Sequence, residues 1–351
     1  ENGVAKKPKL SHRQKRQVAA NRQKRLSRKQ QSSPDLSSLL AGRVIGRFGK
    51  QADVQDTEGN VVRCHIRRTI ESVVCGDEVL FARSEVPDEN IGGVIEIVQD
   101  RRTVLTRPDF YDGVKPIAAN IDQIIVVSSV KPELSLNIID RYLVACEDTD
   151  IKPLLVLNKV ELLSEEERET VSASLAIYQQ LGYELLLTSC KSGEGIAELH
   201  ERLRDKTSVF VGQSGVGKSS IINQVLPDAD ELVGEISENS GLGTHTTTAA
   251  KLLPIPSGGE LIDSPGVREF ALWHLPQERI TWGFIEFRDY LGGCKFRDCK
   301  HLNDPGCIIR QAVEEGKINQ QRYDNYHRII AAMAEQRPAY ANRLISNPDE
   351  P

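Results

Sequence analysis

The chain has 351 residues, 39% of them hydrophobic, and a formal net charge of −5; that length predicts two or three domains. It holds no run of 18 or more apolar residues and no apolar signal core near the N-terminus, which argues against a membrane span or secretory leader. Seven cysteines, three of them clustered near the C-terminus, argue against a disulfide framework and for reduced thiols plus one metal site in a soluble cytoplasmic protein.

The net charge hides an asymmetry. Residues 1–30 carry 11 Lys/Arg and one acidic residue, Glu1, so the remainder holds 34 Lys/Arg against 49 Asp/Glu, a net of −15. An acidic body with a basic arm suits contact with a polyanion. Residues 1–35 read as a basic, disordered tail, because Val4, Leu10, Val18 and Leu26 make no continuous helical face of the kind a membrane-surface helix needs. The alternatives to RNA contact are a merely solvated tail and an Arg-rich transit peptide.

Residues 36–103 read as short strands: Arg43–Phe48, Ala52–Gln55, Val61–Ile66, Glu78–Ala82 and Gly93–Val98, with a turn at residues 56–60. Five strands in so short a stretch predict a small OB-type barrel. Such barrels often bind single-stranded nucleic acid, and Arg63, His65, Arg67, Arg68 and Phe48 offer charge and one aromatic face. A purely structural barrel is the alternative.

Residues 104–283 change to alternating strands and helices, the pattern of a parallel sheet covered on both faces. Ile121–Val127 is a buried-strand run. Leu136–Ala145 places Ile138, Ile139, Tyr142 and Leu143 on one helical side, and Pro153–Leu157 is a strand ending at Asn158. Ser164 with Glu167 forms a capping box for the next helix. The strand Tyr183–Leu187 follows, and Ser208–Val211 runs into a glycine-rich loop ahead of a further helix.

That loop is Gly212-Gln213-Ser214-Gly215-Val216-Gly217-Lys218-Ser219, with Ser220 next. GxxxxGK[ST] between a strand and a helix is a specific phosphate-binding signal: the glycines let backbone N–H groups face the phosphates. Lys218 should reach the β and γ phosphates, and Ser219 should ligate Mg²⁺. The base is selected elsewhere, at Asn158-Lys159-Val160-Glu161, which starts 54 residues before Gly212. In GTPases this motif usually ends in Asp, whose carboxylate accepts guanine N1–H and N2–H. Charge-assisted bonds of this kind contribute roughly 1.5–3 kcal/mol each. Glu161 keeps the charge but moves the fork outward by a methylene. Ser189-Cys190-Lys191 resembles the companion loop that contacts the guanine carbonyl, with Cys190 as a small filler.

Downstream, Asp263-Ser264-Pro265-Gly266 follows a strand and resembles the DxxG switch, with Asp263 on Mg²⁺ through water and the Gly266 N–H on the γ-phosphate. The stretch between carries His245, Thr246, Thr247 and Thr248 in a Gly- and Ser-containing segment expected to order when GTP binds. The sequence does not choose the Mg²⁺ ligand among the three threonines; Thr247, with Lys218 and His245, is given a catalytic part. Val267 follows Gly266, where many small GTPases place a water-orienting Gln. His245 is the proposed substitute, and packing within the loop is its alternative role.

Residues 284–343 read as a helical module around Cys294, Cys299, His301 and Cys307. Three thiolates and one imidazole suit a closed tetrahedral Zn²⁺ with a structural role. Nearby Lys295, Arg297 and Lys300 could face RNA phosphate. Cys64, Cys75 and Cys146 stand alone in apolar contexts and read as buried fillers; His200 and His327 read as helix residues rather than ligands. Residues 344–351 read as a frayed end.

Base motif, Ser-Cys-Lys loop, phosphate loop, Thr-rich switch and then Asp263–Gly266 is the order of circularly permuted GTPases. With a barrel before and a Cys/His module after, and with the stretch 106–120, about residues 40–335 resemble the RsgA (YjeQ) family of small-ribosomal-subunit biogenesis GTPases. The resemblance implies a multidomain fold: an OB barrel, a permuted α/β GTPase domain and a helical zinc module. It also implies GTP/GDP with Mg²⁺, hydrolysis stimulated by the small subunit, contact with its rRNA near the decoding region, release after hydrolysis, and a monomer off the ribosome. The competing readings are an RNA-binding scaffold with a vestigial site, opposed by intact Lys218, Ser219 and Asp263, and an ATP-using P-loop enzyme, opposed by Asn158-Lys159.

Overall fold

The structure, a computed structural model, describes residues 38–88, 91–109, 113–227, 250–268 and 275–336. The basic tail, His245, Thr246–Thr248, Trp273 and the C-terminal end lie outside them.

The first five strands are β1 Leu40–Phe48, β2 Gln51–Asp56, β3 Val61–Ile66, β4 Glu78–Asp88 and β5 Ile91–Val98. They pair in the order β1-β2-β3-β5-β4, and β1 pairs again with β4, which closes the sheet into an OB-like barrel. Strand alternation supplies its filling. Val44, Ala52, Val54, Cys64, Val73, Val79, Phe81 and Ile95 form a separate core, each fully buried. Asp53 is buried too, at 2% exposure, and Arg63 neutralises it with a bidentate fork, Nη2 to Oδ2 at 2.9 Å. The same guanidinium lies 4.7 Å from the centroid of the Phe48 ring. Arg67 pairs with Glu96. Thus two of the barrel cations noted in the sequence are already paired internally, while His65 and Arg68 stand exposed.

A hairpin of β6 Val104–Asp109 and β7 Gly113–Ala119 leads from the barrel into the α/β domain. The core of that domain is a parallel run of five strands: β10 Glu184–Leu187, β9 Lys152–Asn158, β8 Gln123–Ser129, β11 Thr207–Val211 and β13 Glu260–Asp263. Strand β12 Lys251–Pro254 then joins antiparallel. Ile124, Ile125, Val126 and Val127 on β8 are all buried, as a central strand covered on both faces requires. The covering helices are α1 Leu136–Thr149, α2 Glu165–Gln180, α3 Ile196–Leu203 and α4 Lys218–Val225. The capping box of α2 is present: Ser164 Oγ accepts from the Glu167 N–H at 3.2 Å, and Glu167 accepts from the Ser164 N–H at 2.8 Å.

Barrel and α/β sheet are one hydrogen-bonded surface. Strand β1 pairs with β12 at Gly46 and Lys251, which makes an 11-stranded sheet. Arg43 reinforces the junction by donating to Glu260 and to Thr207 Oγ1.

After the short helix α5 Pro265–Arg268 come α6 Gln277–Gly283, a 3-10 turn Ile285–Tyr290, α7 Ile308–Glu314 and α8 Gln320–Gln336. They pack on α1 and share its core: Ile139, Leu143 and Val144 meet a cluster that includes Phe284, Phe287, Ile309 and Tyr326. Inside this seam Arg322, 1% exposed, donates to Asp140 at 2.7 Å and to both oxygens of Glu286 at 2.6 and 2.8 Å. Asn325 and the Tyr178 hydroxyl donate to the same Asp140 carboxylate at 2.6 and 2.7 Å.

Candidate functional site

The loops that leave β9, β10 and β11 lie together at the carboxyl ends of the parallel strands, where open α/β sheets bind ligands. The phosphate loop leaves β11. Gly212 has φ +146° and a Cβ there would stand 2.3 Å from the Val127 carbonyl oxygen; Gly217 has φ +94° and a Cβ there would stand 2.4 Å from Asn158 Nδ2. No side chain fits at either position. Val216 is buried and pins the loop to the core, while Gln213, Ser214 and Gly215 are exposed. Ser219 and Ser220 stand exposed on the first turn of α4. The Lys218 ammonium donates to the Gly212 and Gln213 carbonyl oxygens at 2.6 Å each.

The segment expected to read the base touches this loop directly. Asn158, 2% exposed, donates from Nδ2 to the Val216 carbonyl at 3.1 Å and accepts from Thr188 Oγ1 at 3.1 Å. Lys159, at φ +64°, sends its ammonium to the Lys131 and Gly215 carbonyl oxygens at 2.6 Å each. One dipeptide therefore ties three loops together. Val160 is buried, and Glu161 is exposed within the 3-10 turn Val160–Leu162. Ser189 is buried and its Oγ accepts from the Ser192 N–H at 3.0 Å, which shapes the turn that presents Cys190 and Lys191. Burial, then the Glu161 carboxylate, pushes the Cys190 thiol pKa up, which suits a filler and not a nucleophile.

Some contributors gave no signal in the sequence. Thr188 looked like a strand end and proves to be the partner of Asn158. The Tyr142 hydroxyl on α1 takes a backbone hydrogen bond at Gly212; only its place on the apolar side of the helix hinted at an inward direction.

Asp263 ends β13, and Ser264 Oγ accepts from the Val267 N–H at 3.0 Å, holding the first turn of α5. Val267 is 1% exposed and belongs to the main core with Val211 and Ile262. Its side chain anchors the switch and cannot face a water. His245, Thr246, Thr247 and Thr248 fall outside the described residues, so their expected places stand on sequence alone.

The cysteine cluster is assembled. The ligand atoms of Cys294, Cys299, His301 and Cys307 all lie within 4.8 Å of one another. His301 Nδ1 is 3.6 Å from both Cys294 Sγ and Cys307 Sγ. A tetrahedral Zn²⁺ with ordinary bond lengths sets that S···N edge at about 3.6 Å, so the donor set fits this ion. Burial lowers the His301 pKa and keeps the imidazole in the neutral, ligating form. His301 takes φ +59°, and the carbonyl it thereby turns outward is held by the Tyr323 hydroxyl and by His327 Nε2, the latter at 3.0 Å. These contacts hold the His301 backbone in the turn that presents its ring.

A separate cleft of ≈ 770 Å³ lies at the amino ends of β8, β9 and β10, lined by Gln123, Glu147, Lys152, Tyr183, Glu184 and Arg288. It is at the wrong end of the sheet for the nucleotide.

Comparison with known proteins agrees with the geometry. A sequence profile described as RsgA GTPase matches residues 98–273. A relative from Vibrio vulnificus (strain YJ016), named small ribosomal subunit biogenesis GTPase RsgA 1, is 58% identical over 348 residues, covering 98% of each chain. One from Shewanella oneidensis, named small ribosomal subunit biogenesis GTPase RsgA, is 56% identical and covers 98% of this chain and 100% of its own. Among solved structures, YjeQ from Thermotoga maritima superposes with a TM-score of 0.69 at 35% identity, covering 85% of this chain and 100% of that one. YloQ, described as a circularly permuted GTPase, gives 0.67 at 29% identity over 88% of this chain and 99% of that one. With its Asn158–Glu161 motif upstream of the glycine-rich Gly212–Ser219 loop and its relatives matched nearly end to end, this chain belongs to the RsgA GTPase family.

Proposed function

We propose that the protein hydrolyses GTP to GDP and phosphate during late maturation of the small ribosomal subunit, binding the subunit and its rRNA in the GTP state and leaving after hydrolysis. The observation that carries the reading is the bond from Asn158 to the Val216 carbonyl. It brings an upstream base-reading motif and a downstream phosphate loop into one guanine-nucleotide site. The names of the relatives point to the small subunit.

Lys218 would leave its loop carbonyls for the β and γ phosphates, and Ser219, one of Thr246, Thr247 and Thr248, and Asp263 would hold Mg²⁺, Asp263 through a water. Bound Mg²⁺ neutralises charge on the phosphate oxygens. The Gly266 N–H meets the γ-phosphate, and Asn158, Lys159, Glu161 and the Ser189–Lys191 turn seat the guanine. A water attacks the γ-phosphorus in line and the bond to the bridging oxygen breaks, its electron pair staying on GDP; one proton of the water stays on the phosphate and the other passes to solvent. Since Val267 packs inward, His245 aligns that water. Slow hydrolysis alone, accelerated by the subunit, follows from a site lacking the usual Gln; partner-supplied groups are worth roughly 10⁵-fold in a well-studied GTPase.

Zn²⁺ at Cys294, Cys299, His301 and Cys307 is structural. The exposed barrel residues and the basic Lys295, Arg297 and Lys300 face RNA. The protein works as a cytoplasmic monomer off the ribosome, and among the described residues no helix is long and apolar enough to cross a membrane. The test is the rate of GTP hydrolysis with and without purified small subunits. An unchanged rate contradicts the stimulated cycle. His245→Ala should abolish most of the stimulation, and full stimulated turnover in that variant removes the role given to His245.

A further inference from the structure

The hairpin β6–β7 has no part in the mechanism above, yet it packs on the second switch. Arg107, on β6, carries its Nη1 to within 3.7 Å of where a Cβ on Gly266 would stand. Its side chain is exposed and makes no hydrogen bond or ion pair with any described residue. Other arginines near the domain junction are paired: Arg43 with Glu260, Arg101 with Asp77, Arg102 with Asp122. Directly opposite Arg107 in the hairpin register is Lys115, also exposed. Residues opposite one another in an antiparallel pair share a face, and like charges there repel unless an anion lies between or beside them.

We propose that Arg107 is an intramolecular cation for the terminal phosphate of bound GTP, with Lys115 as a weaker second. The inference rests on the reading that Gly266 faces the γ-phosphate. Given that reading, a guanidinium beside Gly266 lies one side-chain width from the most negative group of the substrate. The phosphate loop contributes Lys218, and the switch itself contributes the carboxylate of Asp263. Val267 is buried and offers nothing polar, whereas the Arg107 guanidinium comes within 4 Å of the Cβ position of this switch glycine. A planar guanidinium binds phosphate oxygens in pairs and is charged at every working pH. The contact exists only with a triphosphate, because GDP ends one phosphate short of Gly266. Arg107 therefore favours the GTP state over the GDP state, and it does so from the connector between the barrel and the GTPase domain.

The experiment compares the affinities of wild type, Arg107→Ala, Arg107→Gln, Arg107→Lys and Lys115→Ala for GDP and for a non-hydrolysable GTP analogue, by calorimetry with Mg²⁺. Arg107→Ala and Arg107→Gln should weaken the analogue by about tenfold and leave GDP affinity unchanged. Arg107→Lys should recover part of the loss, and Lys115→Ala should show a smaller loss of the same kind. Equal weakening of both nucleotides would mean that the hairpin only scaffolds the site, and it overturns the proposal. An unchanged analogue-to-GDP ratio together with weaker binding to small subunits would make the anion an RNA phosphate, and it overturns the proposal equally. Failure of the underlying GTPase reading is a different result, since wild type itself would then bind neither guanine nucleotide.

Discussion

The barrel and the C-terminal module both flank the GTPase domain, but they are attached in opposite ways. The barrel has its own core of eight buried residues and meets the domain mainly along one side, through the β1–β12 pairing, the Arg43 contacts and a Cys75–Ala118 bridge, with Ile45 and Cys75 entering the domain's core. The C-terminal helices have no core of their own. Phe284, Phe287, Ile309 and Tyr326 are buried in the same cluster as Ile139, Leu143 and Val144 of α1. The cysteine cluster sits at the rim of that shared core, with Cys307 in it and Cys294 and Cys299 packed against it, while in its loops Phe296 and Leu302 are exposed at 44% and 49%. A self-filled barrel can dock largely by its edge, whereas a small helical segment must borrow a core.

Metal removal should show the largest effect. Zn²⁺ sites supply roughly 10–16 kcal/mol to small folds, and few apolar contacts hold residues 291–307 without one. Chelation should expose the thiols of Cys294, Cys299 and Cys307 to a thiol reagent. Cys64, whose pKa burial pushes up to about 12, and the fully buried Cys146 should stay unreactive until global unfolding. Simultaneous reaction of all seven thiols would show that the module and the barrel unfold together. Next in size is Arg322→Ala. Removing one member of a buried, hydrogen-bonded charge cluster typically costs about 3–5 kcal/mol, because the carboxylates of Asp140 and Glu286 are left without a cation. Denaturant melts should show that loss; a change below about 1 kcal/mol would mean that water reaches the seam and that the shared core alone holds the module.

The sequence displayed the glycine-rich loop and its strand–helix setting well and the joints poorly, for physical reasons. Phosphate binding needs glycines and a lysine at fixed spacing, and Gly212 and Gly217 sit where backbone carbonyl and Asn158 leave no room for a Cβ. The α2 capping box was legible because it is local. Strand alternation gave the five barrel strands, but edge pairing depends on which edges meet, and nothing in the pattern of β1 names β12 as its partner. Arg322 reads as a surface charge by type; its burial is decided by Asp140, 182 positions away in the chain. Val267 was legible as a missing Gln, while its work as a core anchor appeared only in three dimensions.

Asn158→Ala should have an intermediate effect at the point where the two ends of the permuted site meet. The substitution leaves the Val216 carbonyl and Thr188 hydroxyl short of a partner in a buried setting, which costs about 1–3 kcal/mol. Because the same side chain shapes both the base and the phosphate loops, GDP and GTP-analogue affinities should fall together, unlike the triphosphate-selective loss expected for Arg107→Ala. Selective loss of one nucleotide would show that Asn158 does not hold the phosphate loop.

Arg43→Ala should have the smallest effect, and it tests the comparison most sharply. The Arg43 side chain is 26% exposed and its partner Glu260 28%, so water screens the pair. When it is removed, Glu260 still accepts from Thr207 Oγ1 at 3.0 Å, and Arg43 Nε, buried with no hydrogen-bond partner, goes with it. The expected stability loss is about 0.5–1 kcal/mol, with hydrogen exchange rising in β12 and at Gly46 but not inside the barrel. Should Arg43→Ala instead cost as much as Arg322→Ala, the barrel would depend on its edge for its fold, and the contrast between a self-filled and a borrowed core would fail.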